Sequence, residues 1–320
     1  MSASDDFQDR MLALGLGRVV EKAALSMADY IGRGDERAAD EAAAAAMQEE
    51  LSRLDLRGTV VIGDDESEHM AVGTLVGNGT GPELDVAVDP LEGTTLTAKD
   101  LPNAMTVIAM APKGTMTQVP NIYMEKLAFG GNVPADTVTL DMDPATRVRA
   151  LAKAKGCAPK DITVCLLERP RHMPMIAALR ETGAAVRLIT DGDIAAVINC
   201  AEPESTGIDM YMGSGGAPEG VLAAAAMKCL GGHFYGQLIY RSDDERHLTR
   251  ASGIRELDRI YTRDELVTDH VIFAATGVTD SSLLRGMVRA PGYLQTETLL
   301  MRSKTGSVRR MSYRIPRARS

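Results

Sequence analysis

The pattern of apolar and polar residues predicts two helices at the start of the chain. Apolar residues recur at helical spacing over 7–30, and the glycines at 32 and 34 end this run. Asp35 is a suitable N-cap for a second helix that reaches about Leu54, and Asp40 lies on that helix. The apolar runs that follow are short, which is typical of buried strands rather than of further helices.

Two of these early strands end in carboxylates. The run 86–88 leads into Asp-Pro-Leu-Glu-Gly-Thr at 89–94, where we expect the chain to turn at the proline. Carboxylate and hydroxyl oxygens suit a hard divalent cation, and Gly93 lets backbone amides approach an anion. Acids also follow the strand before it, so adjacent strand ends would place Asp64 opposite Asp89 around one metal pocket. The pattern indicates metal-dependent hydrolysis of a phosphate ester.

From Asp143 onward, helical and strand patterns alternate, which predicts βα units and a mainly parallel sheet. We therefore expect an α/β protein that is α+β in its first half, divided into residues 1–145 and 146–320. Ligands gather at the carboxyl ends of strands in such sheets. The predicted strand ends carry Arg-Pro-Arg-His at 169–172, Asp-Gly-Asp at 191–193 and a glycine-rich turn with a glutamate at 213–219.

Composition and charge narrow the class of protein. The 320 residues suffice for about two domains, and 45% apolar with 25% charged residues is ordinary for a globular protein. The net charge of −9 argues against a nucleic-acid partner or an anionic membrane surface. No apolar run approaches the roughly 20 residues of a membrane span. The four cysteines lack CxxC spacing, so we expect buried thiols in a cytoplasmic protein, with a redox-regulated pair as the alternative.

The hexapeptide at 89–94 resembles the Asp-Pro-(Ile/Leu)-(Asp/Glu)-Gly-(Ser/Thr) signature of the lithium-sensitive, Mg²⁺-dependent sugar phosphatases. Other segments are similar to one branch of that superfamily, the class II fructose-1,6-bisphosphatases. These segments are 31–40, Tyr-Met-Glu-Lys at 123–126, Gly-Gly-Ala-Pro-Glu-Gly at 215–220, Ala-Thr-Gly-Val-Thr at 275–279 and 296–304. The resemblance covers about Ile31 to Arg310 and implies a layered α-β-α-β-α sandwich, with a metal-binding, catalytic first domain and a substrate-binding second domain.

The resemblance also implies a reaction and a set of residues. The reaction is hydrolysis of the 1-phosphate of fructose-1,6-bisphosphate, and other members of the family also hydrolyse sedoheptulose-1,7-bisphosphate. The implied ligands of two or three Mg²⁺ or Mn²⁺ ions are Asp40, Asp64, Asp89, Glu92 and Glu219. Thr94, paired with Asp40, would orient and deprotonate the attacking water. The implied substrate contacts are Glu92, Gly93, Thr94, Tyr123, Lys126, Arg169, Pro170, Arg171, Asp191, Gly192, Asp193 and Gly216.

Several of these residues also have an ordinary structural interpretation. Tyr123 would suit a half-buried packing position, Lys126 a solvated surface and Asp193 a helix N-cap. An isolated histidine such as His172 is more often structural than functional, and the charged segment 241–250 is expected to be a solvated connection.

The chain also departs from the family pattern. Asp64 and Asp65 stand where the family usually has glutamate and glycine, and Thr95 stands where it often has arginine. The glycine-rich turn has Met-Gly-Ser-Gly-Gly in place of Gly-Ile-Gly-Gly, so Ser214 is the changed side chain. The altered acids at 64 and 65 bear on metal distance and on activity.

Two other functions stay open from the sequence. One is a phosphatase of the same superfamily that acts on an inositol phosphate or a nucleotide bisphosphate. Arg171 and Lys126, as two basic groups for a second phosphate, count against a monophosphate, and the relatives with such substrates usually carry a Trp-containing motif that this Trp-free chain lacks. The other is a non-catalytic sugar-phosphate sensor. The resemblance further implies a homodimer or homotetramer.

Overall fold

The structure is a computed structural model that describes residues 3–64 and 67–317. Asp65, one of the departures from the family pattern, lies outside the described residues. The helices are α1 Ala3–Ser26, α2 Glu36–Leu51, α3 Thr94–Ala98, α4 Pro144–Lys155, α5 Met173–Glu181, α6 Asp193–Asn199, α7 Pro203–Thr206, α8 Ala217–Leu230, α9 Asp243–Ala251 and α10 Arg263–Leu266. The strands are β1 Arg57–Ile62, β2 Leu75–Val76, β3 Glu83–Glu92, β4 Met105–Pro112, β5 Tyr123–Phe129, β6 Thr163–Leu167, β7 Ala185–Ile189, β8 Met210–Gly216, β9 His233–Ile239, β10 Ile260–Thr262, β11 Ile272–Gly277, β12 Val288–Ala290, β13 Tyr293–Arg302 and β14 Ser307–Pro316.

The chain forms two compact units. The first combines the chain up to Met116 with the chain from Thr268 onward, and the second runs from Thr117 to Val267. The boundary expected near residue 145 falls inside the second unit. The reason is long-range strand pairing, since β5 joins the sheet of the second unit whereas β11 returns to pair with β4 in the first.

The sheet of the first unit has the order β12-β13-β11-β4-β3-β1-β2. The strand β14 also pairs with β13, antiparallel along its whole length. Its central strands β1 and β3 are parallel neighbours, whereas β4 runs antiparallel to both β3 and β11. The helices α1 and α2 pack on each other and on this sheet through a shared apolar core. Because β1 and β3 are parallel, their carboxyl ends meet at one edge, as the sequence predicted.

The second unit has a six-stranded sheet of order β10-β9-β5-β8-β6-β7. The strand β6 runs parallel to β7 and β8, but β5, β9 and β10 pair antiparallel. The predicted α/β class is confirmed, and the expectation of a mainly parallel second sheet is wrong because two of its antiparallel strands, β5 and β9, were not foreseen. Leu127 and Phe129 of β5 pack in the core with α4 and α5, while Met124 lies against α8. Helices therefore cover both faces of this sheet.

The longest helix, α1, has 24 residues. Neither it nor any other helix in the described part of the chain has the length and apolar character required to cross a membrane.

Candidate active site

The carboxyl end of β3 is irregular. The strand continues through Pro90 to Glu92, and its register against β4 shifts between Asp89 and Glu92. The expected turn at Pro90 is therefore wrong, because a bulge needs no ladder hydrogen bond from the proline. The chain turns at Gly93 instead, where φ is +89° and a side chain would be strained. The bulge leaves Asp89 and Glu92 with carboxylate oxygens within 4.8 Å of each other.

Two more carboxylates of the first unit join this end of the sheet. Asp64 follows β1, and Asp40 lies on α2, whose N-cap is Asp35 as predicted, with Asp35 Oδ1 accepting from Ala38 N at 3.0 Å. A side-chain hydrogen bond joins Asp40 and Asp64. Burial first, and then this hydrogen bond and the negative charges of Asp64 and Asp89, raise the pKa of Asp40 to about 8. The structure thus places Asp40 beside Asp64 and within reach of the charge of Asp89.

Clustered, partly buried carboxylates repel each other unless a cation or a shared proton offsets their charge. The oxygen donors of Asp40, Asp64, Asp89 and Glu92 are of the type that a hard divalent ion prefers. Burial and the charges of Asp64 and Asp89 together raise the pKa of Asp40, which is the effect that a cation beside these groups would reverse. The donor set of the first unit therefore fits a divalent metal.

Thr94 is the first residue of α3 and is half-buried. Its helix packs against α2, which carries Asp40. A side chain at Gly93 would meet Leu96, so the short connection from β3 into α3 requires glycine. The structure therefore presents the Thr94 hydroxyl immediately after the bulge that carries Asp89 and Glu92.

In the second unit, Glu219 lies in the first turn of α8. Its Oε2 atom is buried without a hydrogen-bond partner. Burial raises the pKa of Glu219, an effect that the positive charge of Lys126 opposes and the charges of Asp193 and Asp191 reinforce. Gly216 must be glycine because a Cβ there would overlap the Glu219 carboxylate. A buried carboxylate oxygen with no donor has the character of a ligand for a cation.

Lys126 is fully buried on β5, and its Nζ lies 2.6 Å from Asp193 Oδ2. The hydroxyl of Tyr211, also fully buried, donates to the same Asp193 oxygen at 3.3 Å. The interpretation of Lys126 as a solvated charge is wrong. So is that of Asp193 as an N-cap, because Gly192, with φ +83°, caps α6 and Asp193 is its first helical residue.

A second group of side chains surrounds Tyr123, which is half-buried at the start of β5. The guanidinium carbons of Arg171 and Arg241 lie 4.9 and 4.7 Å from its ring centroid. Arg171 also donates to Ser214 Oγ at 2.9 Å and to Ser214 O at 2.6 Å. The expectation that Arg241 belongs to a merely solvated connection missed this contact, and no sequence signal points to it.

The other predicted substrate contacts lie at the expected strand ends of the second unit. Arg169 and Pro170 follow β6, where Arg169 Nη1 donates to Glu168 O at 3.3 Å. Asp191 and Gly192 follow β7, and Asp191 is near enough to raise the pKa of Glu219. The structure brings Tyr123 together with Arg171, and Lys126 together with Asp193 and Glu219.

Comparison with known proteins agrees with this geometry. Residues 10–314 match the family model described as bacterial fructose-1,6-bisphosphatase, glpX-encoded. The chain is 39% identical over 329 residues to a D-fructose 1,6-bisphosphatase class 2/sedoheptulose 1,7-bisphosphatase of Synechococcus sp. (strain JA-3-3Ab), with 94% of each chain covered. It is 40% identical over 318 residues to fructose-1,6-bisphosphatase 1 class 2 of Escherichia coli (strain K12), again with 94% of each chain covered. The chain therefore belongs to the glpX-encoded family of bacterial fructose-1,6-bisphosphatases, the class II family that its motifs resemble.

Proposed function

We propose that this chain uses Mg²⁺ or Mn²⁺ to hydrolyse the 1-phosphate of fructose-1,6-bisphosphate, giving fructose-6-phosphate and phosphate. The observation that carries the proposal is the carboxylate cluster of the first unit, in which Asp40 is hydrogen-bonded to Asp64 and lies within reach of the charge of Asp89. The family match supports the substrate. Because one similar protein is also named a sedoheptulose 1,7-bisphosphatase, we include that sugar as a second substrate.

In this proposal two or three divalent ions are held by Asp40, Asp64, Asp89, Glu92 and Glu219. When bound, such ions neutralise phosphate charge and lower the pKa of a water. Thr94 orients that water through its hydroxyl, and Asp40 holds the proton that the water loses. A neighbouring cation would offset the charges of Asp64 and Asp89 and leave Asp40 ionised, the form that can accept this proton. The orphaned Oε2 of Glu219 supports its place in the ligand set.

The substrate is held by the remaining predicted residues. The backbone amides of Gly93 and Thr94 face the phosphate that is cleaved, beside Glu92. Arg171 holds the other phosphate, since a guanidinium can meet a phosphate through two parallel hydrogen bonds. Around it we place Tyr123, Arg169, Pro170, Gly216 and the sugar-binding segment Asp191–Asp193. Lys126 forms a buried ion pair with Asp193, which is one of the proposed sugar contacts. This pairing is what supports a position for Lys126 near the substrate.

We also propose that the protein works in the cytoplasm as a homodimer or homotetramer. The four cysteines are all free, which fits a reducing compartment. Light scattering after size-exclusion chromatography measures the assembly, and a monomeric mass would contradict this part of the proposal.

The test of the activity is phosphate release from the purified protein. Fructose-1,6-bisphosphate, sedoheptulose-1,7-bisphosphate and inositol-1-phosphate are compared with Mg²⁺, Mn²⁺ or EDTA. We expect release from fructose-1,6-bisphosphate that depends on metal and stops with EDTA. Binding of this sugar without release under any metal would instead favour a non-catalytic sensor, and release from inositol-1-phosphate alone would move the substrate to the other branch of the superfamily.

A further inference from the structure

We propose that Ser214 is a positioning residue that orients Arg171 for the phosphate that is not cleaved. The inference rests on the proposed function, because it takes Arg171 as the group that binds this phosphate. Ser214 lies on β8 and is 7% exposed, whereas Arg171 lies in the exposed segment after β6. Two hydrogen bonds join them: Arg171 Nε donates to Ser214 Oγ and Arg171 Nη2 donates to Ser214 O.

His172 determines the direction of the Ser214 hydroxyl. His172 Nδ1 lies 2.8 Å from Leu167 O, which can only accept, so Nδ1 carries the proton. His172 Nε2 is therefore an acceptor, and it receives the Ser214 backbone N–H at 2.9 Å. The Ser214 hydroxyl lies 3.1 Å from the same nitrogen, so the backbone N–H and the hydroxyl of Ser214 share one lone pair, with the hydroxyl as the longer contact. Burial lowers the pKa of His172, which keeps this neutral form of the ring.

With its hydrogen committed to His172, the Ser214 oxygen turns its lone pairs toward Arg171. The resulting chain of donors runs in one direction, from Arg171 through Ser214 to His172 and on to the Leu167 carbonyl. Gly213 leaves room for the His172 ring. Its φ is +134°, and a Cβ there would lie only 3.0 Å from His172 Cε1. The buried His172 is thereby linked to Arg171 through Ser214.

The contacts to Ser214 leave one edge of the guanidinium available. Arginine has five N–H donors, of which Ser214 takes the Nε donor and one Nη2 donor. The three remaining donors are on Nη1 and Nη2, the pair that meets a phosphate in a fork. The ring of Tyr123 lies 4.9 Å from the guanidinium carbon and limits its rotation. Arg171 is thus fixed through one edge while the other edge can receive an oxyanion.

The hydroxyl is the part of this arrangement that depends on the side chain. The Ser214 carbonyl would be present with any residue, but only a hydroxyl can accept from Arg171 and donate to His172 together. Ser214 therefore supplies Arg171 with a hydrogen-bond acceptor that an apolar side chain at this position would lack.

The experiment measures equilibrium binding of fructose-6-phosphate by calorimetry, together with KM and kcat for fructose-1,6-bisphosphate. Fructose-6-phosphate carries only the phosphate assigned to Arg171, and its binding needs no turnover. For Ser214→Ala we expect a roughly tenfold weaker affinity and a similar rise in KM, with kcat within about twofold, from the loss of one hydrogen bond to a charged group. Ser214→Thr keeps the hydroxyl and should restore both values.

The decisive comparison repeats Ser214→Ala in an Arg171→Lys background. If Ser214 acts through Arg171, its loss has no further effect there. Equal weakening in both backgrounds, or unchanged affinity in Ser214→Ala alone, would overturn the proposal. Ser205→Ala, which removes an exposed hydroxyl of the same unit that bonds only to backbone, is the matched control.

If Ser214→Ala does not fold, Ser214→Thr and Ser214→Ile measure the same dependence. Fructose-6-phosphate binding without any phosphate release from the wild-type protein would contradict the proposed function and leave the positioning role testable.

Discussion

The acids of the first unit and those of the second unit are surrounded by different charges. In the first unit, burial, the hydrogen bond to Asp64 and the charges of Asp64 and Asp89 raise the pKa of Asp40. In the second unit, the buried Asp193 has the ammonium of Lys126 at 2.6 Å. The comparison indicates that the first group is built to receive a cation from outside. Asp193 of the second unit, unlike its neighbour Glu219, is already compensated by its own chain and can hold its geometry before any ligand arrives.

The substitution with the largest expected effect is Asp89→Asn, which removes one negative charge and one proposed metal ligand from the first unit. Loss of a metal ligand should reduce kcat/KM by on the order of 10³-fold, because several kcal/mol of transition-state stabilisation disappear. In EDTA the same variant should melt at or above the wild-type temperature, since one repelling charge is gone. Steady-state rates measure the fall in kcat/KM, and thermal melts in EDTA measure the change in melting temperature. A lower melting temperature in EDTA would mean that the cluster is not under repulsion.

Lys126→Met removes the positive charge that compensates Asp193 in the second unit. It leaves the Asp193 carboxylate buried with only the Tyr211 hydroxyl, and we expect a loss of about 3–5 kcal/mol in the free energy of unfolding. Denaturant titration measures the loss. Lys155→Met is the control, because that lysine pairs with Asp209 at a more exposed position. Equal losses of unfolding free energy in the two variants would show that the buried Lys126–Asp193 pair stabilises the fold no more than the Lys155–Asp209 pair does.

Thr94→Ala tests the proposed water-orienting hydroxyl without altering the charge of either region. We expect kcat to fall by about 10²–10³-fold, in the range of general acid–base contributions, with a much smaller change in KM. Thr305→Ala, in the exposed turn between β13 and β14, removes a matched hydroxyl away from the site. Near-normal turnover in Thr94→Ala would remove this residue from the mechanism.

Glu21 is a third kind of buried acid and gives the smallest expected effect. Burial raises its pKa from 4.5 to about 7, against the hydrogen bond from Thr298 and the charge of Arg18. The folded protein then holds this proton between pH 4.5 and 7 while the unfolded chain has lost it, so stability falls as pH rises through this window. Glu21→Gln should therefore stabilise the protein at pH 8 by roughly 2–3 kcal/mol, at most, relative to its effect at pH 4. Denaturant titrations at the two pH values check this, and an equal change at both would contradict it.

Much of the candidate site follows from local sequence. Asp35 begins α2 because its side chain accepts from a backbone amide three residues later, which is a local interaction. The acids at 64 and 89 follow apolar runs, and their adjacency required only that β1 and β3 be parallel neighbours. The ends of α4 are also local, since proline follows the N-cap Asp143 and Gly156 follows the last turn.

Other features could not be foreseen from local pattern. The strand β5 was not predicted as a strand, because its alternation matters only when β8 and β9 pair with it. The glycine-rich segment 212–216 was expected to be a turn, yet it continues β8 to Gly216. Glycine has weak local preference for a strand, so pairing with β5 decided its conformation. The two compact units likewise depend on β11 pairing with β4, across more than half the chain.

The sequence by itself determined which residue types stand at the ends of apolar runs, and with them the family and the ligand chemistry of the first unit. Such information is local, since a strand end, a cap or a short motif is set by a few consecutive residues. Only the tertiary structure decided which charges are compensated. It buried Lys126 against Asp193, joined Asp40 to Asp64 by a hydrogen bond, and brought Ser214 to Arg171 across 43 residues of chain. Burial and distance set the pKa of an acid and the orientation of a guanidinium, and both depend on contacts that no short stretch of sequence contains.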